Sequence, residues 1–99
     1  MIVVRNVFRL KFGKARDAKE AMKALLTINR RLGYGQDVRV LTDVTGPFYT
    51  MVLEMTFGSL ADVEKGSKAI MEDAGWKDAY AKMVPLVESG VREIYNVVE

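Results

Sequence analysis

From Ile2 to Phe12 the chain alternates almost without error between two kinds of side chain. Ile2, Val4, Phe8, Leu10 and Phe12 share one parity, with Asn6 in their midst. Val3, Arg5, Val7, Arg9 and Lys11 share the other. A period of two held this long is a β-strand with one face in a core. The second face mixes valine with arginine, too apolar for open water and too charged for a dry interior. It calls for a cover that is itself partly polar.

The same division returns between residues 48 and 57. Tyr49, Met51, Leu53, Met55 and Phe57 make a strongly apolar face, and Phe48, Thr50, Val52, Glu54 and Thr56 a mixed one. Gly46-Pro47 marks the preceding turn, and Pro47 is placed to open the strand, where a missing N–H is tolerated. Another strand, Asp37 to Thr45, sets Val38, Val40 and Thr42 against Arg39, Leu41 and Asp43.

The periodicity is helical in two other stretches. After Gly13, Lys14 to Leu32 carries Ala18, Met22, Leu25, Asn29 and Leu32 at steps of three and four. Arg30 and Arg31 fall in the last turn, where cations suit the helix dipole, and Gly33 supplies the stop. After Gly58, Ser59 is an N-cap with Asp62 in the first turn, and Leu60, Val63, Ser67, Ile70 and Ala74 form a stripe diluted by Gly66. Asp73-Ala74-Gly75 interrupts this helix. Trp76, Ala79, Tyr80, Met83 and Val87 restart it, and Pro85 loosens its end. Ser89-Gly90 leads into a closing strand, Val91 to Val98.

The order strand, helix, strand, strand, helix, strand over 99 residues predicts one domain, 1–99, of the α+β class. The pattern is ferredoxin-like, βαββαβ: a four-stranded antiparallel sheet with two helices on one face, the second broken near Gly75. The mixed face, with Arg5, Val7, Arg9, Val52 and Glu54, is expected to meet the same face of a second copy, so that opposite charges pair inside a homodimer.

Composition narrows the chemistry. With neither cysteine nor histidine, disulfides, thiolate catalysis, cysteine or histidine metal ligands and the usual haem ligand are excluded. No metal and no cofactor is expected. Fifteen basic and 13 acidic residues are interspersed, unlike the one-sided footprint of a nucleic-acid binder. No apolar run approaches the ~20 residues of a membrane span, and no export signal is visible. A cytoplasmic protein with neither nucleic acid nor membrane as partner is expected.

On these residues the chain resembles the dimeric α/β barrel superfamily along essentially its whole length. Phe57-Gly58-Ser59-Leu60-Ala61-Asp62 followed by Trp76, and the terminal Val91-Arg92-Glu93-Ile94-Tyr95-Asn96, look like the NIPSNAP-type arrangement. The resemblance extends to the antibiotic-biosynthesis-type monooxygenases, in which an electron-rich phenol or quinol reacts with oxygen without a cofactor. Asn6 with Phe8, Lys11, Gly13, Lys14 and Asp17 is also similar to the first strand and turn of the haem-degrading members. There an asparagine contacts the ligand. The haem-ligating histidine of those enzymes is matched here by Tyr80, and their pocket tryptophan falls near Gly66, so haem degradation is not expected.

Asn6 is a polar amide on an apolar strand face, placed to orient a ligand between sheet and helices or to be satisfied within the core. Phe8, Tyr49, Met51, Trp76, Tyr80 and Met83 are the candidate companions, each of them also plausible as plain core at its spacing. Arg39, Arg92 and Glu93 join Arg5, Arg9 and Glu54 as groups able to bind an anionic substrate or act as acid and base, with an ion-pair network at the dimer interface, or simple solvation, the favoured expectation. The leading expectation is a dimeric NIPSNAP-like protein that binds a small apolar or aromatic molecule. A cofactor-independent monooxygenase and a purely structural module for self-association are the alternatives.

Overall fold

The strand patterns mark out a sheet with one greasy face, and a computed structural model describing residues 1–99 builds it. In chain order the elements are β1 (Ile2–Leu10), α1 (Ala15–Leu32), β2 (Gln36–Thr42), β3 (Thr50–Phe57), α2 (Leu60–Glu72), α3 (Ala74–Met83) and β4 (Val87–Asn96). A single 3-10 turn, Val84–Leu86, contains Pro85 and joins α3 to β4. The strands form one antiparallel sheet in the order β2-β3-β1-β4. The helices pack on one face, giving a ferredoxin-like α+β fold.

Side-chain parity decides which residues meet. Leu10 and Met51 of the sheet pack with Met22, Leu25 and Ile28 of α1, Ile70 of α2 and Ala79 and Met83 of α3. A second group joins Ile2, Val4, Met55 and Phe57 to Val63 of α2. Burying each large apolar side chain in such a cluster contributes about 1.5–3 kcal/mol. One amide enters this layer: Asn29 of α1, whose Nδ2 donates to Met55 Sδ at 3.4 Å.

The structure departs from the sequence expectation in β1, β2, β3, the buried stripe of α2 and β4. β1 ends at Leu10, because the chain turns through Gly13 (φ 80°), and Phe12 is exposed instead of lying in the core. β2 begins at Gln36 and stops at Thr42. Pro47 does not open β3 but lies in the connecting loop; Asp43 Oδ1 accepts from the N–H of Thr50, the first residue of β3. Leu60 and Ala74 are exposed, leaving Val63 and Ile70 as the buried residues of α2. β4 begins at Val87, so Val87 and Ser89-Gly90 belong to the strand and not to a helix or linker.

Asp73 makes the break near Gly75. Its extended backbone ends α2, and its Oδ1 accepts from Trp76 N–H at 3.0 Å, capping α3. Its other oxygen accepts from Arg31 Nη2 at 2.6 Å, tying the joint to the end of α1. Arg31 and the Trp76 amide together hold the Asp73 carboxyl below its ordinary pKa.

Candidate functional site

A groove of about 360 Å³ opens between α3 and the β1–β4 edge of the sheet. Two irregularities in β4 make room for it. Gly90 pairs with Phe8, and a Cβ at Gly90 would lie 3.2 Å from the Val7 carbonyl oxygen and 3.5 Å from Phe8 Cδ1. A glycine inside a strand leaves no side chain above its neighbour, and here it uncovers the Phe8 ring. One step along, the register shifts between Arg9 and Leu10, which pair with Ser89 and Val87; the intervening Glu88 is the bulged residue.

Asn6 and Arg92 stand directly opposite in the β1–β4 register, and Arg92 Nε donates to Asn6 Oδ1 at 2.8 Å. Asn6 is half-buried. Tyr80 of α3 lines the groove with them, and behind Tyr80 the Trp76 indole stacks nearly parallel to its ring, with centroids 4.7 Å apart and 15° between planes. The groove therefore combines an amide, a guanidinium and an aromatic wall.

Tyr34, in the loop between α1 and β2, lies outside this groove, in a separate depression with Phe57 and Gly66. The Tyr34 ring passes beneath Gly66, packs edge-on against Phe57 at 5.0 Å, and its hydroxyl donates to the Val63 carbonyl at 3.5 Å. Burial raises the Tyr34 phenol above its usual pKa, while the charge of Arg92 and a hydrogen bond with Ser67 pull it back.

Of the pocket residues expected from sequence, the structure brings together Asn6, Phe8 and Tyr80, with Trp76 in support. Met51 and Met83 do not line the groove; they are closed into the core at 0% and 2% exposure. Tyr49 sits elsewhere, in a separate groove of about 290 Å³ with Phe12, Phe48 and Asp43, its ring against Phe12 at 4.6 Å. Arg92 does not belong with Glu93 on the mixed face, because strand parity turns it to the helix side opposite Asn6. Counting parity back from Ile94 would have separated the two. Gly90 and Tyr34 were missed: a strand glycine and a loop tyrosine carry no sequence signal for the partners they meet.

The other face of the sheet has its own order. Arg39, Glu54, Arg5 and Glu93 follow one another across β2, β3, β1 and β4, alternating in sign. Glu54 holds Arg39 at 2.7 Å and lies 3.2 Å from Arg5 Nε, a buried N–H without good hydrogen-bond geometry to any acceptor. The next row, Leu41, Val52, Val7 and Val91, is wholly apolar. No group of three or more carboxylates converges as a metal site would require, and no helix is long and apolar enough to cross a membrane.

The model of the NIPSNAP family matches residues 4–99, nearly the whole chain. The chain belongs to the NIPSNAP family. No curated protein matches it. Among solved structures, this NIPSNAP chain resembles a NIPSNAP family protein of Agrobacterium tumefaciens with a TM-score of 0.87 at 18% identity, covering 96% of this chain and 90% of that one. An uncharacterised NIPSNAP domain protein of Burkholderia xenovorans superposes with a TM-score of 0.89 at 17% identity, over 99% and 95% of the two chains. A Nitrosomonas europaea protein provisionally described as an antibiotic biosynthesis monooxygenase reaches a TM-score of 0.79 at 17% identity, over 100% of both. At these identities the likeness is one of fold.

Proposed function

We propose that this NIPSNAP protein is a cytoplasmic homodimer that binds a small, flat, mostly apolar molecule in the groove between β4 and α3. The observation that carries the reading is the Asn6–Arg92 pair, held in a cleft uncovered by Gly90 and walled by Tyr80 on Trp76. Apolar walls with a few fixed polar groups are what ligand sites are made of. The mixed sheet face supports the dimer. Glu93 and Arg9 have no oppositely charged partner within 4 Å in the single chain. A second copy brought face to face would offer partners to both and cover the apolar row. The absence of cysteine agrees with a reducing compartment.

Trp76 is the only tryptophan and touches a residue that lines the groove, so its fluorescence is a direct reporter. Native mass spectrometry of freshly purified protein, followed by fluorescence titration with the molecule it retains, tests the reading. A dimer with a retained aromatic molecule that perturbs Trp76 agrees with it. An empty dimer indifferent to aromatic compounds would leave a structural module for self-association.

A second reading is a cofactor-independent monooxygenase acting on a phenolic or quinol substrate, which the shared fold with the Nitrosomonas europaea protein favours. In that chemistry the protein orients and desolvates a substrate that itself reacts with oxygen. Oxygen uptake with hydroquinones, compared with the same compounds without protein, separates the two readings.

A further inference from the structure

Resting on that reading of the groove, we propose that its ligand is an aromatic acid whose carboxylate is bound by Arg92. Asn6, Phe8, Gly90 and Arg92 lie on the helix-facing side of the sheet, where Val4 and Leu10 of the same parity are closed into the core. Arg92 itself is exposed on the edge strand β4, at the mouth of the groove, where its guanidinium is open to an incoming anion. Arg92 has no carboxylate partner within 4 Å, and Glu54 and Glu93 project from the opposite side of the sheet.

What Arg92 has instead is a neutral acceptor. The Asn6 amide takes the Nε proton at 2.8 Å, which fixes the guanidinium plane without cancelling its charge. The N–H groups on both Nη atoms make no hydrogen bond within the protein. A fork so held matches the two oxygens of a carboxylate. The Arg92 charge also lowers the Tyr34 pKa, against the larger raising effect of burial.

The rest of the groove selects the body of the ligand. Phe8 is uncovered by Gly90, and the Tyr80 ring is backed by Trp76, so both offer flat apolar surface. A volume of about 360 Å³ is at the small end of ligand sites and suits one or two fused rings.

The test uses the full chain at pH 7 and low salt, with 2-naphthoate and its neutral counterpart 2-naphthamide titrated by calorimetry and followed by amide chemical shifts. The expected result is about tenfold tighter binding of the naphthoate, the scale of one charge-assisted pair in a partly exposed site. Arg92→Gln is expected to bring the two ligands to the same affinity. Asn6→Asp, which supplies the missing carboxylate from within, is expected to do the same and stands alone if Arg92→Gln does not fold by circular dichroism. Equal affinity in the wild type would overturn the carboxylate inference and leave the binding groove intact. Preference for naphthoate that survives a folded Arg92→Gln would overturn it too. Binding of neither compound would overturn both this inference and the groove reading beneath it.

Discussion

The Tyr34 ring occupies the space that any side chain on Gly66 would need: a Cβ there would fall 2.4 Å from Cδ1 and 2.7 Å from Cε1 of Tyr34. α2 lies this close to the tyrosine only because residue 66 has no side chain. The contact sets the height of α2 over the sheet and places the Tyr34 hydroxyl at the Val63 carbonyl.

Gly66→Ala is therefore expected to destabilise the protein although alanine is the better helix former. Overpacking of this kind costs about 1–3 kcal/mol, against a gain of about 1 kcal/mol in helix propensity. For a domain of this size a net loss of 1 kcal/mol lowers the melting temperature by about 4–8 °C. Thermal melts read by circular dichroism decide it, and an unchanged or raised melting temperature would show that Tyr34 yields freely.

Asn6→Ala removes the acceptor that orients Arg92. Because the pair is partly open to water, the cost in stability is expected to stay near 1 kcal/mol. Binding of 2-naphthoate should weaken several-fold as the guanidinium loses its fixed plane. Dimer mass by light scattering should not change. A large stability loss with ligand affinity retained would make Asn6 a structural residue only.

Asp73 caps α3 and pairs with Arg31, and its folded-state pKa is depressed. Its carboxylate therefore contributes stability that is present above the unfolded value of about 3.9 and is lost as pH falls through the folded value. Asp73→Asn keeps a competent N-cap but removes the charge. The gap in melting temperature between wild type and variant should be full above about pH 4 and close at lower pH. A gap that persists in strong acid would exclude the ion pair as its source.

Tyr34 gives the opposite pattern at the alkaline end, since its folded-state pKa is raised, first of all by burial. Its neutral phenol contributes fully below the unfolded value of about 10, and the contribution fades as pH rises through the folded value. Absorbance at 295 nm should show one late-ionising tyrosine, absent in Tyr34→Phe. If the titration curves of the two proteins differ by an ordinary tyrosine, the ring is not desolvated.

For the dimer, Tyr95→Glu is the informative change. Tyr95 is half-exposed in the single chain and pairs with Val3 on the mixed face. The substitution should cost the monomer little, yet a face-to-face dimer would have to bury the new charge. Light scattering at micromolar protein is expected to give a dimer for wild type and a monomer for the variant. A monomeric wild type would sink the pairing of the sheets.

Much of this molecule was determined by local sequence. The alternation of Ile2 to Leu10 and of Thr50 to Phe57 dictated which side chains face the helices, because strand parity has no third option. Ser59 and Gly33 set helix ends through backbone hydrogen bonding within a few residues. The Asn6 amide stood out for the same reason, as a polar side chain on an apolar parity. The tertiary structure alone decided what Asn6 faces. Its partner Arg92 lies 86 residues away and is aligned by the β1–β4 register. The glycine that opens the groove meets Phe8 through the same register, and the tyrosine that passes under Gly66 meets it through the packing of α2 over the α1–β2 loop. Met51 and Met83 share the spacing of pocket residues, yet they are core because the helices close over them. Periodicity specifies a face, and only the packing of other elements against that face makes it a floor or a filled interior.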